Sequence, residues 1–197
     1  MSRLPKNPTK IRERIKRYER ELRQELKNFG AIDDGSGKRY LLGPLYMLLE
    51  DTKGALKSFE WFEKTFPGDM GAPEHYLCWT LALYRSGNIA AASQKLLQTM
   101  LSNLYLIPHL LGFEQPELDI WHSSNIDQRD YLGYIPPEFL ALWDEPALQW
   151  AEETYHSPKL SQVRERYIEI YRQLKDERPG PKRSELVKEA FRLQQMD

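Results

Sequence analysis

A helix-pair pattern recurs in this chain at an offset of 37 residues, and that recurrence constrains the fold more than any other feature. Leu42-Gly43, Tyr46, Ala55, Phe59 and Pro67 in the first copy correspond to Trp79-Thr80, Leu83, Ala92, Leu96 and Leu104 in the second. Arg39 corresponds to Tyr76. Glu50-Asp51 corresponds to Gly87-Asn88, and a Gly-Asn pair is a good helix stop. Small residues at this spacing let two antiparallel helices cross closely. Large apolar residues fill the seam, and proline ends the second helix because it cannot continue it. The pattern predicts four helices, near residues 38–50, 53–66, 73–86 and 89–102.

The run Leu42-Gly43-x2-Tyr46, followed by Ala55, Phe59 and Pro67, resembles the signature of the tetratricopeptide repeat, a 34-residue helix–turn–helix unit. Two recognisable repeats result, at about residues 36–69 and 73–106. The departures are Arg39 in place of the family's tryptophan, Thr80 in place of its glycine and Leu104 in place of its proline. Pro44, inside a first-copy helix, should remove one backbone hydrogen bond and kink it. The resemblance implies an all-α helical-repeat domain, an α-solenoid fragment. At least three stacked units are usual, so the flanking helices should serve as capping layers.

In repeats of this family the first helix of each unit lines a concave face. The resemblance therefore implies a partner groove made by Tyr40, Met47, Leu48, Leu77, Leu81, Tyr84 and Arg85. That set lacks the lysine and asparagine side chains with which similar adaptors clamp a peptide's carboxylate. A mostly apolar groove suits an amphipathic helix or a hydrophobic strip. The alternative occupant is the chain's own N- or C-terminal helix. The implied function is non-enzymatic protein–protein interaction, needing no cofactor, with a protein or peptide as partner.

Outside the repeats, residues 1–29 form a basic amphipathic segment. A helix from Pro8-Thr9 to about Phe29 places Ile11, Ile15, Tyr18, Leu22, Leu26 and Phe29 on one face. The segment holds ten Lys/Arg against four Glu, whereas the remainder holds 18 basic and 25 acidic residues, so a net charge of −1 hides an asymmetry. Arg12, Arg14, Lys16, Arg17, Arg20 and Arg23 are the candidate anion-binding side chains, and a nucleic-acid- or ribosome-associated factor is the alternative function. With no base-stacking aromatic pattern beside them, the arm is expected to be a solvated capping face first. Its long apolar stripe also leaves pairing with a second copy open. Residues 36–176 form the main domain. It comprises the repeats, an irregular segment over 103–136 and a helix pair over 137–176, with Val163, Tyr167, Ile170, Tyr171 and Leu174 as the apolar stripe of the later helix. Residues 177–197 are a tail with a short helix from Ser184 to Gln194.

Composition and motifs argue against other classes. Apolar content of 41% with five Trp, eleven Tyr and seven Phe excludes a disordered chain. No run approaches 18 apolar residues, so no membrane span is expected. A charged start and a lone Cys78, best read as a small buried residue, fit a cytoplasmic setting. The Gly30–Lys38 loop fails as a phosphate loop, since Arg39 and not Ser/Thr follows the lysine, and a helix precedes it. His75, His109, His122 and His156 form no metal-ligand spacing. The best enzyme-like cluster is Glu114, Asp119, His122 and Asn125, with Ser123 and Ser124 nearby. A loop histidine bonded to backbone explains it more simply.

Overall fold

The computed structural model describes residues 4–195, so the first three positions of the basic arm and the last two of the tail lie outside the described residues. Among the described residues the fold is all-α. Helix α1 (Pro8–Phe29) opens on Asn7, whose side chain accepts from Thr9 N at 2.8 Å. It closes on Gly30, at φ 70°, whose N–H donates to the Leu26 carbonyl. The left-handed conformation at that position suits glycine.

Helices α2 (Lys38–Met47), α3 (Thr52–Thr65), α4 (Pro73–Arg85) and α5 (Ile89–Ser102) form two antiparallel pairs. Three backbone bonds of their turns match at the 37-residue offset. Glu50 N donates to Met47 O, Asp51 N to Tyr46 O and Ala55 N to Asp51 O. Gly87 N, Asn88 N and Ala92 N donate in the same way to Tyr84 O, Leu83 O and Asn88 O. Asp51 and Asn88 each cap the following helix, accepting from Gly54 N and Ala91 N. Glu50 and Gly87, equivalent in the two copies, both have positive φ, 58° and 81°.

Where the two pairs differ from one another, different contacts do the same work. A Cβ on Gly43 would lie 2.2 Å from Phe59 Cε1, so α2 and α3 cross at glycine distance. In the second pair Thr80 occupies that place, and its Oγ1 meets Thr99 Oγ1 at 3.0 Å, setting a hydrogen bond at the crossing. Arg39 packs its flat guanidinium 4.4 Å from the Tyr40 ring centroid and 4.9 Å from that of Phe66. It also ion-pairs Asp69 (3.0 Å) and the buried Asp34 (3.5 Å). An arginine can fill an aromatic's place in this way because its plane stacks while its edge donates.

The stack continues in both directions. Helix α1 packs on α2, α2 on α4, and the later helices α8 (Glu145–Tyr155), α9 (Pro158–Asp176) and α10 (Pro181–Gln194) pack on α5 and on one another. The expected 137–176 pair is three helices, a short α7 (Pro137–Leu140) preceding α8, and the tail helix begins at Pro181 and not Ser184. Between them, α6 (Leu106–Leu110) and a 3₁₀ turn (Arg129–Tyr134) interrupt the irregular segment. Side chains hold it. Asn103 Nδ2 donates to the Ile126 and Gln128 carbonyls at 2.7 and 3.1 Å, and Tyr105 OH accepts from Leu118 N at 3.0 Å.

Candidate functional site

The groove residues expected from the repeat pattern do not form an open groove. Met47, Leu77 and Leu81 have no exposed surface. The reason is the position of α4, which packs against α2, α3 and α5 and buries nearly its whole circumference. At its C-terminal end Tyr84 stacks on Trp150 of α8, with ring centroids 4.8 Å apart. Arg85 donates to the Leu142 carbonyl at 2.6 Å. At its start the buried Glu74 accepts from Tyr131 OH at 3.2 Å. Leu48 is half-buried against the core, and Tyr40 gives its hydroxyl to Asp69 at 2.8 Å. The chain's own α8 and 3₁₀ segment thus occupy the ends of this face, while α9 packs on α5 instead.

An open apolar trough lies elsewhere, between the C-terminal half of α1 and α3. Helix α1 has 22 residues and α2 has 10, about 33 Å against about 15 Å at 1.5 Å per residue. The apolar stripe of α1 therefore overruns its cover. Ile11, Ile15 and Leu22 are buried, but Leu26 is 46% exposed and Phe29 79%. Leu22, Leu26, Ile32, Tyr46 and Trp61 line a cavity of about 350 Å³. Tyr46 OH donates to Glu19 at 2.7 Å. Burial, with that carboxylate, holds the phenol well above its ordinary pKa.

The rim of the trough carries a net positive charge. Arg23 and Lys57 line it, but Glu19 lines it too and ion-pairs Arg23 at 3.7 Å, which leaves Lys57 uncompensated among the described residues. Arg12, Lys16 and Arg20 are exposed, also without an ion-pair partner among the described residues, and continue with Arg23 along one face of α1 at spacings of four, four and three. Arg17 and Arg14 differ. Arg17 lies 3.9 Å from Glu21, and both line a separate cavity beside Lys38 and Tyr131. The sequence signal for the trough is the overhang of Leu26 and Phe29 beyond a ten-residue neighbour.

A third feature went unnoticed in the sequence. Lys95 of α5 is 8% exposed, and its ammonium sits 3.5 Å from the Trp79 ring centroid and 5.4 Å from that of Tyr76. A cation over an aromatic face gains ~0.5–2 kcal/mol. The nearest carboxylate is Glu63 at 3.9 Å, itself 67% exposed. Burial lowers the Lys95 pKa to about 8, partly opposed by Glu63. Lys95 lines a cavity of about 500 Å³ between α3, α5 and the end of α10.

The enzyme-like cluster does not assemble. Asp119 ion-pairs Lys175, Glu114 is exposed, and the carboxylate beside His122 is Asp127, at 3.9 Å. Asp127 in turn accepts from Ser123 N, Ser123 Oγ and Ser124 N, so the serine hydroxyl is spent on a loop turn and not on the imidazole. No group of three or more His, Cys, Asp or Glu among the described residues is placed to hold a metal ion, and no described helix is long and apolar enough to cross a membrane. Comparison with protein-family models, curated proteins and solved structures finds no match to this chain.

Proposed function

We propose that the protein is a non-catalytic helical-repeat scaffold of the tetratricopeptide type, and that its partner surface is the α1–α3 trough and not the concave face. The observation that carries this reading is the exposed end of the α1 stripe, Leu26 and Phe29, beside a cavity lined by the half-buried Ile32 and Trp61 and by Arg23 and Lys57. Exposed apolar area rimmed by charge is the usual mark of a docking site. The charge selects the occupant, an amphipathic helix with acidic flanks. A second copy docking through its own α1 would set Arg12, Lys16, Arg20 and Arg23 against their like, which opposes a dimer on this face.

Labelled amphipathic peptides sharing one apolar face, with either Glu or Lys on the flanks, test the reading by fluorescence anisotropy. The Glu peptide should bind, and Leu26→Asp and Lys57→Glu should each weaken it at least about tenfold, roughly 1.4 kcal/mol, with helicity unchanged. Equal binding of both peptides, or indifference to both substitutions, rejects it.

A further inference from the structure

The cavity under Lys95 is separate from the trough and rests on different observations. We propose that it is a covalent binding site for a small aromatic aldehyde or ketone, with Lys95 Nζ as the nucleophile. An amine acts in this way when it is desolvated and reachable. Lys95 is held against Trp79 at the edge of a cavity of about 500 Å³, with no hydrogen-bonded counter-ion among the described residues. Phe62, Phe66, Tyr76 and Phe191 supply flat apolar walls for a ring.

The ionisable groups facing the amine are few. They are Glu63 from α3, Asp69 from the α3–α4 loop, and Tyr76 and the buried His75 from α4, while α10 contributes the uncharged Phe191 and Gln194. The lowered pKa of Lys95 agrees with this geometry. The ammonium first gives one proton to solvent; the Nζ lone pair of the neutral amine then attacks the carbonyl carbon and the π pair of the carbonyl moves onto oxygen. The Glu63 carboxylate takes one proton from nitrogen and passes it to that oxygen. The second nitrogen proton leaves with the oxygen as water as the C=N bond forms. One water is released per imine, and nothing is oxidised or reduced.

Reductive trapping tests the site. The folded protein is treated with benzaldehyde and cyanoborohydride at pH 7.5, and labelling is read lysine by lysine by peptide mass spectrometry. Lys95 should be labelled at least about tenfold faster than the mean of the other lysines, and the excess should shrink at pH 10.5, where ordinary lysines also lose their protons. Glu63→Gln should slow labelling at Lys95 severalfold and nowhere else. Acetaldehyde, lacking a ring, should show a smaller preference. Lys95→Arg should remove the fast equivalent from the intact mass, and if that variant fails to fold, the wild-type ratio decides alone. Labelling of Lys95 at or below the mean overturns the proposal.

Discussion

The Nδ1 of His75 lies 3.0 Å from the carbonyl oxygen of Tyr40, and this contact replaces a hydrogen bond that Pro44 removes. Pro44 has no N–H to offer the carbonyl four residues back. A carbonyl only accepts, so Nδ1 carries the imidazole proton and Nε2 the lone pair, which is buried without a partner. The ring is enclosed by Phe59, Phe62 and Trp79. A proline that would weaken an isolated helix is thereby satisfied from the neighbouring repeat.

This contact makes stability depend on pH. Burial lowers the His75 pKa to about 4. Because the folded value is depressed below the ordinary 6.5, the unfolded chain binds more protons between the two. Stability should therefore fall as pH drops from about 6.5 towards 4, by up to roughly 3 kcal/mol. Denaturant titrations should show this loss in the wild type and a flatter profile in His75→Gln, which keeps an N–H donor but does not titrate. The neighbouring Glu74, whose pKa burial raises, works in the opposite sense in both proteins and cancels in the comparison.

The helix crossings should be intolerant of added volume. Gly43→Ala sets a methyl against Phe59, which cannot retreat because it stacks at 5.2 Å on Trp79. Ala55 and Ala92 have no exposed surface. We expect Gly43→Ala, Ala55→Leu and Ala92→Leu each to cost ~1–3 kcal/mol, read as a lowered melting temperature. Unchanged melting in all three would mean that the repeat register is wrong.

Glu50 holds a left-handed backbone where its counterpart in the second repeat is Gly87. An L-residue there is strained by roughly 1–2 kcal/mol. Glu50→Gly should raise stability by a few tenths to ~1 kcal/mol, the added entropy of the unfolded glycine offsetting some of the relief. Gly87→Glu should do the reverse. Equilibrium unfolding of both variants checks the pair.

Five of the helices were legible because they carry their own punctuation. Pro8, Asp51, Pro73, Asn88 and Pro158 stand at or next to helix starts, and α9 ends at Asp176 as its stripe predicts. What escaped was set at long range. Helix membership alone assigns the groove residues, yet α4 is buried by α2, α3 and α5 together, and the ends of its face are covered by Tyr131 and Trp150, 57 and 66 residues after Glu74 and Tyr84. Residues 103–136 gave no period because side-chain-to-backbone bonds such as Asn103 to Ile126 order them. Lys95 reads as an ordinary helix cation until Trp79 is folded beneath it.

The exposed cations of α1 should not make the protein a tight nucleic-acid binder. Binding through all four of Arg12, Lys16, Arg20 and Arg23 would weaken steeply with salt, by roughly a hundredfold between about 50 and 200 mM. We expect no tight complex with RNA or DNA at physiological salt. A nanomolar complex that is lost on Arg12→Glu with Arg20→Glu would displace the scaffold reading.

Cys78 sits at the centre of α4 with no exposed surface, and burial pushes its thiol pKa well up. A thiol reagent in solution can therefore reach it only while the second repeat is open. Being the chain's single cysteine, it is a clock for that opening, since its alkylation rate in native buffer measures how often α4 leaves its neighbours. If the opening is global, the rate will follow overall stability through every variant named above. If each repeat opens independently of the other, Gly43→Ala in the first will leave the clock in the second unchanged.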